Sequence, residues 1–188
     1  MTMKRQMLTV AAIVLFYGVA AGQEQPGPTY EHLKPFEQLI GTWRYDGPLQ
    51  ENVPVLGGKD SKIVVQLTWE WVLNKCALES NATVELQGGA KLLGKSLIGW
   101  DLAEGRIILG GMNSLGAHEI STVTYDDATK TWTTNAKSVD EKGRHTSATI
   151  VGRLIDADTY EWQMKDRKGG DVPGDSPKYV FKRTKPVK

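Results

Sequence analysis

From Lys62 to Trp71 the chain alternates in a strand-like way: Ile63, Val65, Leu67, Trp69 and Trp71 fall on one face, and Lys62, Gln66, Thr68 and Glu70 on the other. Period two sustained over such a length predicts a half-buried β-strand. Asn74-Lys75 then predicts a turn. Beyond it Leu78, Ser80, Ala82, Val84 and Leu86 oppose Glu79, Asn81, Thr83 and Glu85, which completes a hairpin. The pattern recurs to the end of the chain. Turns at Gly88-Gly89, Asp101–Gly105, Asn113–Gly116, Asp126–Lys130, Asp140–Gly143 and Asp156–Asp158 separate further strands, and a loop over 166–177 precedes the last one, Lys178 to Arg183. Nine strands are counted in this way, with a short irregular one allowed near Val53, Val55 and Leu56 in the loop from Asp46 to Asp60.

No segment of this body has the helical periodicity needed for a parallel crossover, so the sheet is expected to be antiparallel. A long meander leaves two unpaired edges unless it closes on itself. The expected fold is therefore all-β: an up-and-down antiparallel barrel of eight to ten strands, wide enough to hold a small ligand or be filled by side chains. A β-sandwich is the alternative. Leu33, Phe36, Leu39 and Ile40 suit one or two helical turns over Tyr30 to Ile40, with Pro35 near the start of the second, placed to cap one end. Leu39 to Tyr45, which contains Gly41-Thr42-Trp43, is expected to form the first strand and the plug of that end.

Residues 1–22 read as a signal peptide. Lys4 and Arg5 precede the apolar run Met7 to Val19, and Val19-Ala20-Ala21-Gly22 offers small residues for cleavage. The protein is thus expected to be exported, periplasmic or extracellular, with no membrane span after cleavage. Residues 23–29 form a linker, and 30–188 a single domain. Cleavage would remove two basic residues and no acid, leaving 21 basic against 22 acidic, a balance that does not point to nucleic acid. The lone Cys76 cannot form an intrachain disulfide and is expected to be buried. No feature addresses the oligomeric state.

Gly41-Thr42-Trp43 after a short helical turn is similar to the Gly-x-Trp that opens the lipocalin and fatty-acid-binding-protein superfamily. Leu67-Thr68-Trp69-Glu70-Trp71, Ile98-Gly99-Trp100-Asp101, and Tyr160-Glu161-Trp162-Gln163 with Asp166-Arg167 resemble a group of exported bacterial lipocalin-like (calycin-type) proteins of unknown function. The lipocalin resemblance implies that Trp43 packs across the barrel base, with an Arg of the last strand against its indole. Arg183 is the candidate, with Arg153 behind it. A weaker resemblance is to the nitrobindin-like haem-binding barrels, which also open on Gly-Thr-Trp. They ligate iron through a C-terminal His, and this chain has no His after His145. No cofactor is therefore expected.

The chemistry-bearing residues are sparse. His32, His118 and His145 have no metal-ligand spacing, so no metal is expected. No Gly-x-Ser-x-Gly elbow or phosphate loop occurs, and no catalytic residue is assigned. The tryptophans are the richest class, and packing is their default role. The functional alternative is a cavity lined by Trp69, Trp71, Trp100 and Trp162, with Glu70, Arg106, His118 and Gln163 as the polar groups that orient a small apolar or amphipathic molecule. Two rival expectations are an enzyme using Glu70, His118, Glu119 or His145 as acid or base inside the barrel, and a barrel with a filled interior. The inward face of Lys62 to Trp71 separates them, because it assigns Glu70 and the Trp pair together.

Overall fold

Each alternating run becomes one strand of a closed ring in the computed structural model, which describes residues 25–184. The proposed leader and the start of the linker lie outside the described residues. The strands are β1 (Gly41–Pro48), β2 (Lys62–Val72), β3 (Ala77–Leu86), β4 (Lys91–Asp101), β5 (Arg106–Asn113), β6 (His118–Asp126), β7 (Thr131–Val139), β8 (His145–Asp156), β9 (Thr159–Lys168) and β10 (Tyr179–Arg183). Each pairs antiparallel with its neighbour in sequence, and β1 pairs with both β2 and β10. This is the up-and-down barrel at the upper end of the expected strand number, and it excludes the sandwich. The loop after β1 holds only an isolated bridge, Val53 to Gly57. Among the described residues no helix is long and apolar enough to cross a membrane.

The Trp side of β2 faces inward. Ile63 is buried, and Val65, Leu67, Trp69 and Trp71 pack against the core, while Gln66 and Glu70 are exposed. Leu39 and Ile40 do not join the first strand. A short helix, α1 (Tyr30–Leu33), runs into a 3-10 helix (Lys34–Leu39) with Pro35 in its first turn. That pair caps the barrel with Leu33, Phe36 and Leu39, each at most 2% exposed.

A helix end leaves carbonyls without partners, and here two side chains satisfy three of them in succession. Arg183 Nη2 donates to Gln38 O (2.7 Å), Trp43 Nε1 to Leu39 O (2.8 Å) and Arg183 Nη1 to Ile40 O. The guanidinium also lies 4.1 Å from the centre of the Trp43 ring, a cation–π stack. Gly41, at φ +117, is needed where the chain turns from helix to strand: a Cβ there would sit 3.1 Å from Arg183 Nη1.

Side-chain size falls along the barrel axis. Near the cap, Trp43, Trp132, Tyr160, Phe181, Leu78 and Ile98 are buried in one cluster. Toward the other end, one row across the sheet runs Ser80, Ser96, Gly111, Glu119, Ser138 on β3 to β7. Large residues fill the closed end, and small ones hollow out the other.

Candidate functional site

The hollow is a cavity of about 370 Å³. Leu67, Ala82, Gly94, Leu109, Glu119, Thr134, Ile150 and Trp162 all border it, and they come from eight consecutive strands, β2 to β9. Residues so distributed around a closed ring can share only its lumen. Trp69 stands at one end of the small row, paired with Ser80. The row makes the space: a Cβ on Gly111 would sit 2.9 Å from that of Ser96, so this wall is already as thin as its backbone allows. Tyr160 and Trp162 border the cavity from β9. Burial pushes the Tyr160 hydroxyl far above its usual pKa.

One ionisable carboxyl on β6 reaches this space. Ala117, Glu119, Ser121, Val123 and Tyr125 alternate inward, and Glu119 accepts a 2.5 Å hydrogen bond at Oε1 from the hydroxyl of Ser121. Burial raises the Glu119 pKa, and the Ser121 hydrogen bond offsets this only in part. Among the described residues no cation pairs with it.

A second cavity, of about 270 Å³, adjoins the first at Glu119, Ser138 and Ile150 and continues under the loops at the wide end. Charged side chains tie those loops together. Arg167 on β9 forms a two-pronged pair with Glu51 of the β1–β2 loop, both contacts at 2.8 Å. Asp171 of the β9–β10 loop accepts from Arg144 (2.7 Å) and Lys142, and this holds its pKa down to about 2. Arg144 is also bound to Asp140.

The residues singled out in the sequence divide into distinct places. Trp69 and Trp162 border the lumen. Trp71 and Trp100 lie instead under the N-terminal helix, Trp71 tilted on Tyr30 with ring centres 5.3 Å apart and Trp100 stacked on His32 at 3.8 Å. Glu70 is exposed on the outer face of β2, because the Trp side took the interior. Arg106 is exposed at the β4–β5 turn, 4.0 Å from Asp101. Gln163 donates to Ser176 O (2.8 Å) and so anchors the β9–β10 loop. His118 and His145 are both exposed and border a shallow outer groove with Val139 between them. His118, next to Glu119 in the chain, also touches the rim of the lumen cavity, but it is exposed and among the described residues no histidine is hydrogen-bonded to Glu119. Cys76, expected to be buried, is half-buried in the β2–β3 turn.

The residues missed from the sequence are the small ones, Ser80, Ser96 and Gly111, together with Ser121 and Tyr160. Their signal was phase: each is in step with an inward apolar neighbour on its own strand.

No family model matches the sequence, and comparison with curated proteins finds no match. Among solved structures, the chain resembles the crystal structure of Rv2717c from M. tuberculosis. The TM-score is 0.59 at 14% identity, covering 85% of this chain and 99% of that one. At this identity the likeness establishes a shared barrel fold.

Proposed function

We propose that this protein is an exported lipocalin-like barrel that binds a small apolar or amphipathic molecule in its lumen. The observation that carries the reading is the cavity of about 370 Å³ inside a closed ring, walled by Leu67, Trp69, Leu109, Ile150 and Trp162 and adjoined by a second space at the wide end. Apolar walls are interrupted by the small hydroxyls of Ser80, Ser96, Thr134 and Ser138 and by Glu119, and a concave chamber with polar groups set in an apolar lining is a common form of small-molecule site. Export is supported by the charged, apolar and small-residue pattern of residues 1–22. It is checked by N-terminal sequencing of the protein recovered outside the cytoplasm, which should begin at Gln23.

Binding is tested with N-phenyl-1-naphthylamine, a neutral apolar fluorophore. The expected result is saturable one-site enhancement with quenching of tryptophan emission. Ser96→Phe, which fills the small row from the inward face, should abolish it while the protein stays folded. Failure of the wild type to bind, or binding untouched by Ser96→Phe, sinks the reading. Native mass spectrometry of the purified protein supplies a second readout, a co-purifying mass that the filled variant lacks.

A further inference from the structure

We propose that Glu119 makes the lumen selective for amphipathic molecules carrying a protonated amine, with the ammonium seated against its carboxylate and the hydrocarbon body against Trp69, Trp162 and Leu109. This rests on the lumen-binding reading and narrows it to one ligand class.

The Glu119 carboxyl stands among uncharged groups of the adjoining strands. Its row neighbours are Gly111 on β5 and Ser138 on β7, neither charged. Ser121, two residues along the same strand, gives it one hydroxyl donor, and Ile150 of β8 borders the same space. The charged groups at the mouth are Asp140, Glu141, Arg144, Arg167, Lys168 and Asp171, and on the rim of the lumen itself stand the exposed Lys95, paired with Glu79, and the exposed His118. The two guanidiniums there already have partners, Arg144 in Asp140 and Asp171, and Arg167 in Glu51. Glu119 thus has one side-chain hydrogen-bond donor, Ser121, and among the described residues no cation is paired with it.

A carboxylate removed from water needs a proton or a counter-cation. An ammonium head supplies the cation together with up to three N–H donors, of which the carboxylate accepts one or two in a charge-assisted geometry. Gly111 leaves the approach clear, having no side chain beside Glu119. A ligand with an anionic head meets an uncompensated like charge, and a neutral hydroxyl leaves the carboxylate charge unpaired.

Three probes with one skeleton and different heads separate these cases: 4-phenylbutylamine, 4-phenylbutan-1-ol and 4-phenylbutanoate, titrated by calorimetry at about pH 8, well above the ordinary glutamate pKa of about 4.3. The amine is expected to bind about tenfold or more tighter than the alcohol, with the carboxylate weakest. Glu119→Gln should bring the amine down to the alcohol while leaving the alcohol's affinity in place. A second test leaves Glu119 in place. In the wild type the amine preference should fade as pH is lowered through the titration of Glu119, and it should do so equally in His118→Asn, which removes the outward-facing histidine next in the chain. Equal binding of amine and alcohol, or a preference that survives Glu119→Gln, overturns the inference and leaves the lumen-binding reading standing. Failure of all three probes while N-phenyl-1-naphthylamine still binds also overturns it alone. Failure of all four removes both.

Discussion

Two side chains close the base of this barrel, and each does so in two ways. Trp43 fills space with its indole and donates to Leu39 O; Arg183 stacks on that indole and donates to Gln38 O and Ile40 O. Trp43→Phe keeps most of the volume and deletes the donor, leaving a buried carbonyl unpaired, and should cost about 1–3 kcal/mol in a denaturant titration. Trp43→Ala should cost about 3–5 kcal/mol. If both variants melt like the wild type, the base-plug role is wrong. Glu119 predicts the opposite sign. Burial raises its pKa, so the folded state holds the proton more tightly than the unfolded chain. That contribution is fully present below the unfolded carboxyl pKa, about 4.3, and is lost as pH rises through the higher folded value. Above that value the carboxylate is a liability, and Glu119→Gln should melt higher than the wild type, with the gap closing on acidification. The stack of Trp43 on Arg183 is a contact that Gly-Thr-Trp invites one to look for. The triple carbonyl cap was not legible, because it depends on where the 3-10 helix ends. Glu70 drew attention by standing between two tryptophans, yet those tryptophans drove it outward; Glu119, in phase with Val123 and Tyr125, was the inward carboxyl.

At the scale of elements the turns carry the information. The β2–β3 turn places Leu73, Asn74 and Lys75 in succession at φ 51, 52 and 60, a left-handed run without a glycine. Each such non-glycine residue costs about 1–2 kcal/mol. Leu73 is 72% exposed, so its side chain contributes little burial. Leu73→Gly should therefore raise stability by about 0.5–1 kcal/mol after the extra chain entropy of glycine is subtracted, read as a shift in denaturant midpoint at constant slope. The carbonyl of Asn74 holds the Gly27 amide at 2.7 Å, which pins the N-terminal segment to this turn. Strands were legible in the sequence because one face of each is buried and a slip of one residue would expose it. The 49–61 loop was not, since its shape comes from long-range partners such as Arg167 on Glu51 that no local period encodes.

For the whole molecule, the closed ring follows from an unbroken meander, and its hollow from the change in inward side-chain size along the axis. The ring is not equally strong around its circumference. β1 and β2 match over eight pairs of residues, whereas β1 and β10 match over two, Trp43 with Arg183 and Arg44 with Lys182. The Thr184 amide adds one bond to Thr42 O at 2.8 Å. Hydrogen exchange should accordingly be faster at the amides of β10 than at those of β3 and β4, and a chain ending at Lys178 should lose the cap and the seam together. Equal protection on β10 and β3 would contradict this. The short seam also sets how the protein fails. A barrel has no strand edge to offer another molecule, but one that parts between β1 and β10 acquires two at once, each flanked by buried aromatic residues. Colloidal behaviour is thus governed at this one joint: heating or C-terminal trimming that frees five residues would turn a self-contained particle into a template for its own aggregation.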